Sequence, residues 1–114
     1  GNTAGIGGGA YLGTLNSCTV SGNTAQSGGG TRSSTLNNCT VTGNRSWLGG
    51  GASGSTLNNC TLTGNSATRA GGGAYSSTLN NCTLTGNSAT DYGGGGACAG
   101  TLNNCTLTGN SASN

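Results

Sequence analysis

Thr78-Leu79-Asn80-Asn81-Cys82-Thr83-Leu84-Thr85-Gly86-Asn87 is one of five copies of a single ten-residue phrase. The others read TLNSCTVSGN at 14–23, TLNNCTVTGN at 35–44, TLNNCTLTGN at 56–65 and TLNNCTLTGN at 101–110. Their cysteines, Cys18, Cys39, Cys60, Cys82 and Cys105, recur at intervals of 21, 21, 22 and 23 residues. A period of that size marks stacked units in a solenoid, not a globule around one core. Within the phrase, Cys82 and Leu84 fall on one face and Thr83 and Thr85 on the other, the period of a half-buried strand. Thr78-Leu79-Asn80 reads as a second strand with Leu79 inward. Asn81 then stands at a bend, where Asn tolerates the left-handed conformation.

Working outward, a GGG cluster precedes every phrase, and Ala74-Tyr75 after the fourth cluster reads as a third short strand. The segments after each phrase, such as 88–93, differ in length between copies and read as exposed corners. Recurrent Gly triplets exclude helix, since each Gly costs roughly 1 kcal/mol there. The sequence therefore predicts one all-β domain over 1–114. Its fold is a right-handed parallel β-helix of about five rungs, 21–23 residues each, with three short strands per rung. The rungs fall near 7–27, 28–48, 49–70, 71–93 and 94–114.

Stacking at about 4.8 Å places equivalent residues in columns. Leu15, Leu36, Leu57, Leu79 and Leu102 form one inward column. Val20, Val41, Leu62, Leu84 and Leu107 form another, and the five phrase cysteines a third. Asn23, Asn44, Asn65, Asn87 and Asn110 form a polar column whose amides can bond along the stack. Asn38, Asn59, Asn81 and Asn104 form a second; each also begins a formal Asn-Cys-Thr glycosylation pattern.

The unit GGGAY…TLNNCTLTGNSA resembles the right-handed parallel β-helix repeats of bacterial surface and autotransporter-type proteins. It is also similar to the polymorphic outer-membrane protein repeats with their GGA-I and F-x-x-N elements. Ala10, Ala52, Ala74 and Ala97 follow the Gly clusters here, with Thr31 in the second copy, and Cys-Thr-Leu/Val-Thr-Gly-Asn takes the place of the Phe-containing element. The resemblance implies a surface or secreted structural protein, and for fold it covers the whole chain.

Composition narrows the chemistry. The charged side chains are Arg32, Arg45, Arg69 and Asp91. Acid–base hydrolysis of polysaccharides uses paired carboxylates, so the sequence predicts no enzyme, and a carbohydrate-active β-helix enzyme is only a distant alternative. No Lys follows the Gly clusters, which excludes a phosphate loop; they read as close-packed backbone. Neither a metal array nor a cofactor is expected. Three Arg spread over the sequence predict no nucleic-acid partner, and no apolar run reaches membrane-spanning length.

The phrase cysteines read as buried, unpaired thiols. Cys98 shares the outward slot of Tyr11 and Tyr75, as a free or inter-chain thiol. Tyr11, Trp47, Tyr75 and Tyr92 share no single column, so no continuous sugar-stacking strip is predicted. The expected role is structural: an extracellular or cell-surface filament, stalk or adhesin whose partner is itself, in a head-to-tail homopolymer or a longer array. Abundant Gly, Asn, Thr and Ser, the shared corner phase of GNTAGI and GNSASN, and the absence of a charged block at either terminal rung motivate it. The alternative is an ice-binding face. Thr40/Thr42, Thr61/Thr63, Thr83/Thr85 and Thr106/Thr108, with Thr19/Ser21, form an outward Thr-x-Thr lattice. Glycans and ice are the other ligands that these faces suggest.

Overall fold

The computed structural model describes residues 1–91 and 93–113; Tyr92, one of the four aromatic residues, lies outside them. The chain is a parallel β-solenoid of about five turns, with four sides. Sheet A holds β1 (Thr3–Ile6), β5 (Thr24–Ser27), β9 (Arg45–Leu48), β13 (Ser66–Ala70), β17 (Ser88–Ala89) and β21 (Ser111–Ala112). Sheet B holds β2 (Ala10–Tyr11), β6 (Thr31–Arg32), β10 (Ala52–Ser53), β14 (Ala74–Tyr75) and β18 (Ala97–Cys98). Sheet C holds β3 (Thr14–Asn16), β7 (Thr35–Asn37), β11 (Thr56–Asn58), β15 (Thr78–Asn80) and β19 (Thr101–Asn103). Sheet D holds β4 (Thr19–Ser21), β8 (Thr40–Thr42), β12 (Thr61–Thr63), β16 (Thr83–Thr85) and β20 (Thr106–Thr108).

Each turn thus has four strands, not three. The segments read as exposed corners form sheet A, with Ala25, Ala67 and Ala89 buried. The one extra residue of the 22-residue repeat is absorbed within the sheet. On β13 the register slips between Ala67 and Ala70 against β9, a bulge that takes up the extra residue.

Four turning residues per rung make the four sides. Positive φ recurs after sheet A at Gly7, Gly28, Gly49, Gly71 and Gly94, and after sheet D at Gly22, Gly43, Gly64, Gly86 and Gly109. After sheet C it falls at Ser17, Asn38, Asn59, Asn81 and Asn104, with φ between 52° and 55° for the four Asn. After sheet B it falls at Leu12, Ser33, Gly54, Ser76 and Ala99. Each turning residue aims its successor inward.

The Gly clusters follow from this. At 49–51 the first Gly supplies the left-handed turn. A Cβ on Gly50 would collide with the carbonyl oxygens of Gly72 and Ser66, and one on Gly51 would lie 2.5 Å from that of Gly73. Backbone of the next rung fills the space a side chain would need.

The core is Leu36, Leu57, Leu79, Val41, Leu62 and Leu84, all fully buried, with Val20, Cys39, Cys60, Cys82, Ala52 and Ala74. The same columns open in the outermost rungs. Leu15 is half-buried, while Leu102 and Leu107 are 37% and 47% exposed. Ser46 occupies the sheet A position of Ala25 and Ala67, and its buried hydroxyl has no hydrogen-bond partner among the described residues. An orphaned buried hydroxyl costs about 1–3 kcal/mol. Ser46→Ala is therefore expected to raise stability by about 1 kcal/mol, read as a higher urea midpoint with an unchanged m-value.

Candidate functional site

The corners build three polar columns inside and one outside. At the D-to-A corner, the Asn65 amide uses its whole bonding capacity. Its Oδ1 accepts from the Asn44 backbone N–H and from Asn44 Nδ2, each at 3.0 Å. Its Nδ2 donates to the Val41 carbonyl at 2.9 Å and to Asn87 Oδ1 at 3.0 Å. Asn23, Asn44, Asn87 and Asn110 continue the pattern, and the backbone N–H of Asn2 joins it through Asn23 Oδ1. The ladder fixes its own orientation: a flipped amide would set Nδ2 against a backbone N–H.

At the B-to-C corner, the hydroxyls of Ser34, Ser55 and Ser77 donate to the carbonyls of Arg32, Ser53 and Tyr75 at 3.0–3.2 Å. Each also accepts a backbone N–H from the preceding rung, at 3.2–3.3 Å. The C-to-D corner repeats the device in sulfur. Cys60 Sγ lies 3.3 Å from the Asn58 carbonyl and 3.5 Å from that of Leu36, and Cys39, Cys82 and Cys105 make equivalent contacts. All six thiols are free. Cys39, Cys60 and Cys82 are buried, Cys98 and Cys105 partly so, and Cys18, on the first rung with no thiol before it, is exposed.

Burial pushes the Cys39 thiol up. Between Cys60 and Cys82, the Cys82 S–H supports a thiolate on Cys60 and lowers it to about 7; the same bond, with burial, pushes Cys82 up. The two behave as one unit that gives up its first proton more readily than its second. Native alkylation should label Cys18 and Cys98 within minutes and leave Cys39 and Cys82 unlabelled until the protein unfolds, as read by mass spectrometry of the labelled peptides. Cys60→Ser keeps the Asn58 and Leu36 acceptors within reach, so its cost should stay near 1 kcal/mol.

Outside, the amide ladder runs through Asn16, Asn37, Asn58, Asn80 and Asn103, each Nδ2 from Asn37 onward donating to the preceding rung's Oδ1 at 2.8–2.9 Å. The second ladder thus uses the first Asn of each pair. Asn38, Asn59, Asn81 and Asn104 turn the corner with exposed side chains instead. A left-handed residue directs its side chain off the strand face, away from the column beside it.

Sheet D presents Thr19, Thr40, Thr61, Thr83 and Thr106 in one column and Ser21, Thr42, Thr63, Thr85 and Thr108 in the next, in unbroken register. Thr42 and Thr63 are half-buried and the other Thr are exposed. On sheet A, Arg45 and Trp47 point outward from one strand, and the Arg69 guanidinium lies 5.3 Å from the Trp47 ring centroid. Arg45 and Arg69, apart in the sequence, are neighbours on one face. Among the described residues no three His, Cys, Asp or Glu side chains converge as metal ligands, and no helix is long and apolar enough to cross a membrane. No protein-family model, curated protein or solved structure matches the chain.

Proposed function

We propose that this chain is a non-enzymatic structural module of an extracellular filament, stalk or adhesin, extended by stacking further rungs end to end. In this reading it serves as the surface β-helix repeats of bacteria do. The observation that carries it is the unbroken register of every column of sheets B, C and D, set against the exposure of the same columns in the outermost rungs. Leu62 and Leu84 are 0% exposed, while their equivalent Leu107 is 47% exposed. At the opposite end a recess of about 340 Å³ opens beside Leu15, Cys18 and Val20. One more rung, of the same polypeptide or of a second copy, would cover both.

Sheet A holds six strands and the other sheets five. A second copy in the same phase therefore brings its β1 to the place that β21 holds, and one of these two strands must yield. Such a contact is head-to-tail and propagates unless its rotation closes a ring. Sedimentation and negative-stain microscopy test it. The expected result is concentration-dependent rods that are lost in Leu15→Lys with Leu102→Lys, while circular dichroism retains the middle rungs. A monomer at high concentration would defeat self-stacking.

Sheet D favours a second reading, a face for ordered water at an ice surface. Its Thr hydroxyls are in register and make no intramolecular hydrogen bond among the described residues. Thermal hysteresis abolished by Thr61→Lys is the outcome this reading requires.

A further inference from the structure

We propose that the outer face of sheet A around Trp47 binds an acidic polysaccharide laid along the solenoid axis. A pyranose ring packs on the indole, and the sugar's anionic group is held by Arg45. Such binding does not depend on end-to-end stacking.

The site begins with an anomaly. Most outward positions of this solenoid are Thr, Ser, Asn or Gly, with Tyr11 and Tyr75 as aromatic exceptions on sheet B, and on sheet A β9 sends out the chain's one Trp. Trp47 is 53% exposed, leaving much of a large apolar ring in water. The Arg69 guanidinium near the ring holds it by a cation–π contact. The ring is thus braced without being buried. Arg45 stands on the same face two residues before, also exposed. Among the described residues, neither its guanidinium nor the indole Nε1–H has a hydrogen-bond partner. Their donors are available to a ligand.

Register supplies the rest. Pairing of Ala25 with Ser46 and of Ser27 with Leu48 sets the exposed Gln26 beside Trp47 on the preceding rung. Thr24 and Ser66 flank Arg45 on either side. Successive rungs, about 4.8 Å apart, therefore present an amide, then an indole with a guanidinium, then a second guanidinium. One pyranose of a linear polysaccharide advances by a similar distance. The C–H face of a sugar suits an indole, its hydroxyls suit Gln26, Thr24 and Ser66, and an anionic group suits the planar fork of Arg45. Charge points the same way. Two of the chain's three Arg sit here. Its one carboxylate, Asp91, follows Thr90, which bonds the Ala67 and Thr68 carbonyls, so it lies on the Arg69 side of the face and leaves Arg45 as the cation for the anionic group. A single aromatic with two cations is an anchor point, not the continuous aromatic strip that the sequence lacks. It is also too small a charge cluster for phosphate-backbone binding, which relies on many cations.

Because Trp47 is the chain's one Trp, its fluorescence reads this site directly. Titration with polygalacturonate or dextran sulfate should shift the emission saturably. Fully methyl-esterified polygalacturonate and uncharged dextran should bind at least about tenfold more weakly. Trp47→Ala, followed by calorimetry, should lose binding by a similar factor with no change in unfolding midpoint. Arg45→Gln should erase the preference for the charged polymer, and Arg45→Lys should restore part of it. Thr61→Ala on sheet D should change nothing. Equal binding of the esterified and acidic polymers, undiminished binding by Trp47→Ala, or tighter binding of oligothymidine than of polygalacturonate would overturn the proposal.

Discussion

Asn65→Asp is expected to destabilise the solenoid by more than about 4 kcal/mol, because it leaves an uncompensated charge in the interior. The substitution changes almost no volume. It removes both donors of an amide that is 0% exposed, the one to the Val41 carbonyl and the one to Asn87 Oδ1. It also sets a second oxygen against those two acceptors. Asn65→Ala removes the repulsion but orphans the Asn44 backbone N–H. It also takes away the bonds that the Asn65 side chain makes to Asn44 Nδ2, the Val41 carbonyl and Asn87 Oδ1. Of these, Asn44 Nδ2 keeps the Val20 carbonyl and Asn87 Oδ1 keeps the Asn65 backbone N–H. At about 1–3 kcal/mol for an unsatisfied buried group, with the losses overlapping, about 3 kcal/mol is expected. The outer ladder provides the contrast. Asn58 is half-exposed, its side chain holds one amide bond to each neighbouring rung, and water can replace both. Asn58→Ala should therefore cost less than about 1 kcal/mol. Urea titration of the three variants checks the order. A solenoid couples only neighbouring rungs, so Asn65→Asp should also split the transition in two, with a smaller m-value for each part. Equal costs at Asn58 and Asn65 would refute the buried ladder as a source of stability.

Sheets C and D are legible in the sequence because their alternation has chemical contrast. In Cys-Thr-Leu-Thr the inward residues are apolar and the outward ones carry hydroxyls. Sheet A lacks this contrast. Its inward residues are Ala25, Ser46, Ala67 and Ala89, small enough to pass for loop, and the bulge on β13 imitates a loop insertion. The outer amide ladder lies one residue from its expected place, although the signal for it is present. With Leu79 inward, the period-two rule puts Asn80 on the outer face of its strand, opposite Asn58 and Asn103. Adjacent Asn residues of equal composition hide that difference. The face around Trp47 is not legible, because Arg45 and Arg69 are 24 residues apart in a chain of near-21 period. Only the bulge brings Arg69 onto the strand face beside Trp47. Sequence periodicity thus reports what repeats, while this candidate site depends on what does not.

Gly50→Ala is expected to be as damaging as the buried aspartate, and it separates two reasons for glycine in these rungs. The new methyl group would meet the carbonyl oxygens of Gly72 and Ser66, both main-chain atoms. No flexible side chain can swing aside, and the backbone is held to neighbouring rungs at both places, Ser66 by its strand ladder and Gly72 by bonds from the Gly51 N–H and to the Gly94 carbonyl. Relief requires parting two rungs that otherwise pair at about 4.8 Å. Overpacking in a yielding core costs about 1–3 kcal/mol; against fixed backbone, more than about 4 kcal/mol is expected here. Gly64 is the control for conformation. It has φ 62° and nothing within 4 Å of the place a methyl group would take, so Gly64→Ala should show only the left-handed penalty of about 1–2 kcal/mol. Gly5 controls for both, being open and outside the left-handed region. Gly5→Ala should be neutral or stabilise by about 0.4–1 kcal/mol through the unfolded chain. The predicted order of urea midpoints is Gly5→Ala, then Gly64→Ala, then Gly50→Ala far below. If Gly50→Ala matched Gly64→Ala, the clusters would be turning devices alone. If it falls as far as expected, rung-to-rung backbone contact is what confines those positions to glycine.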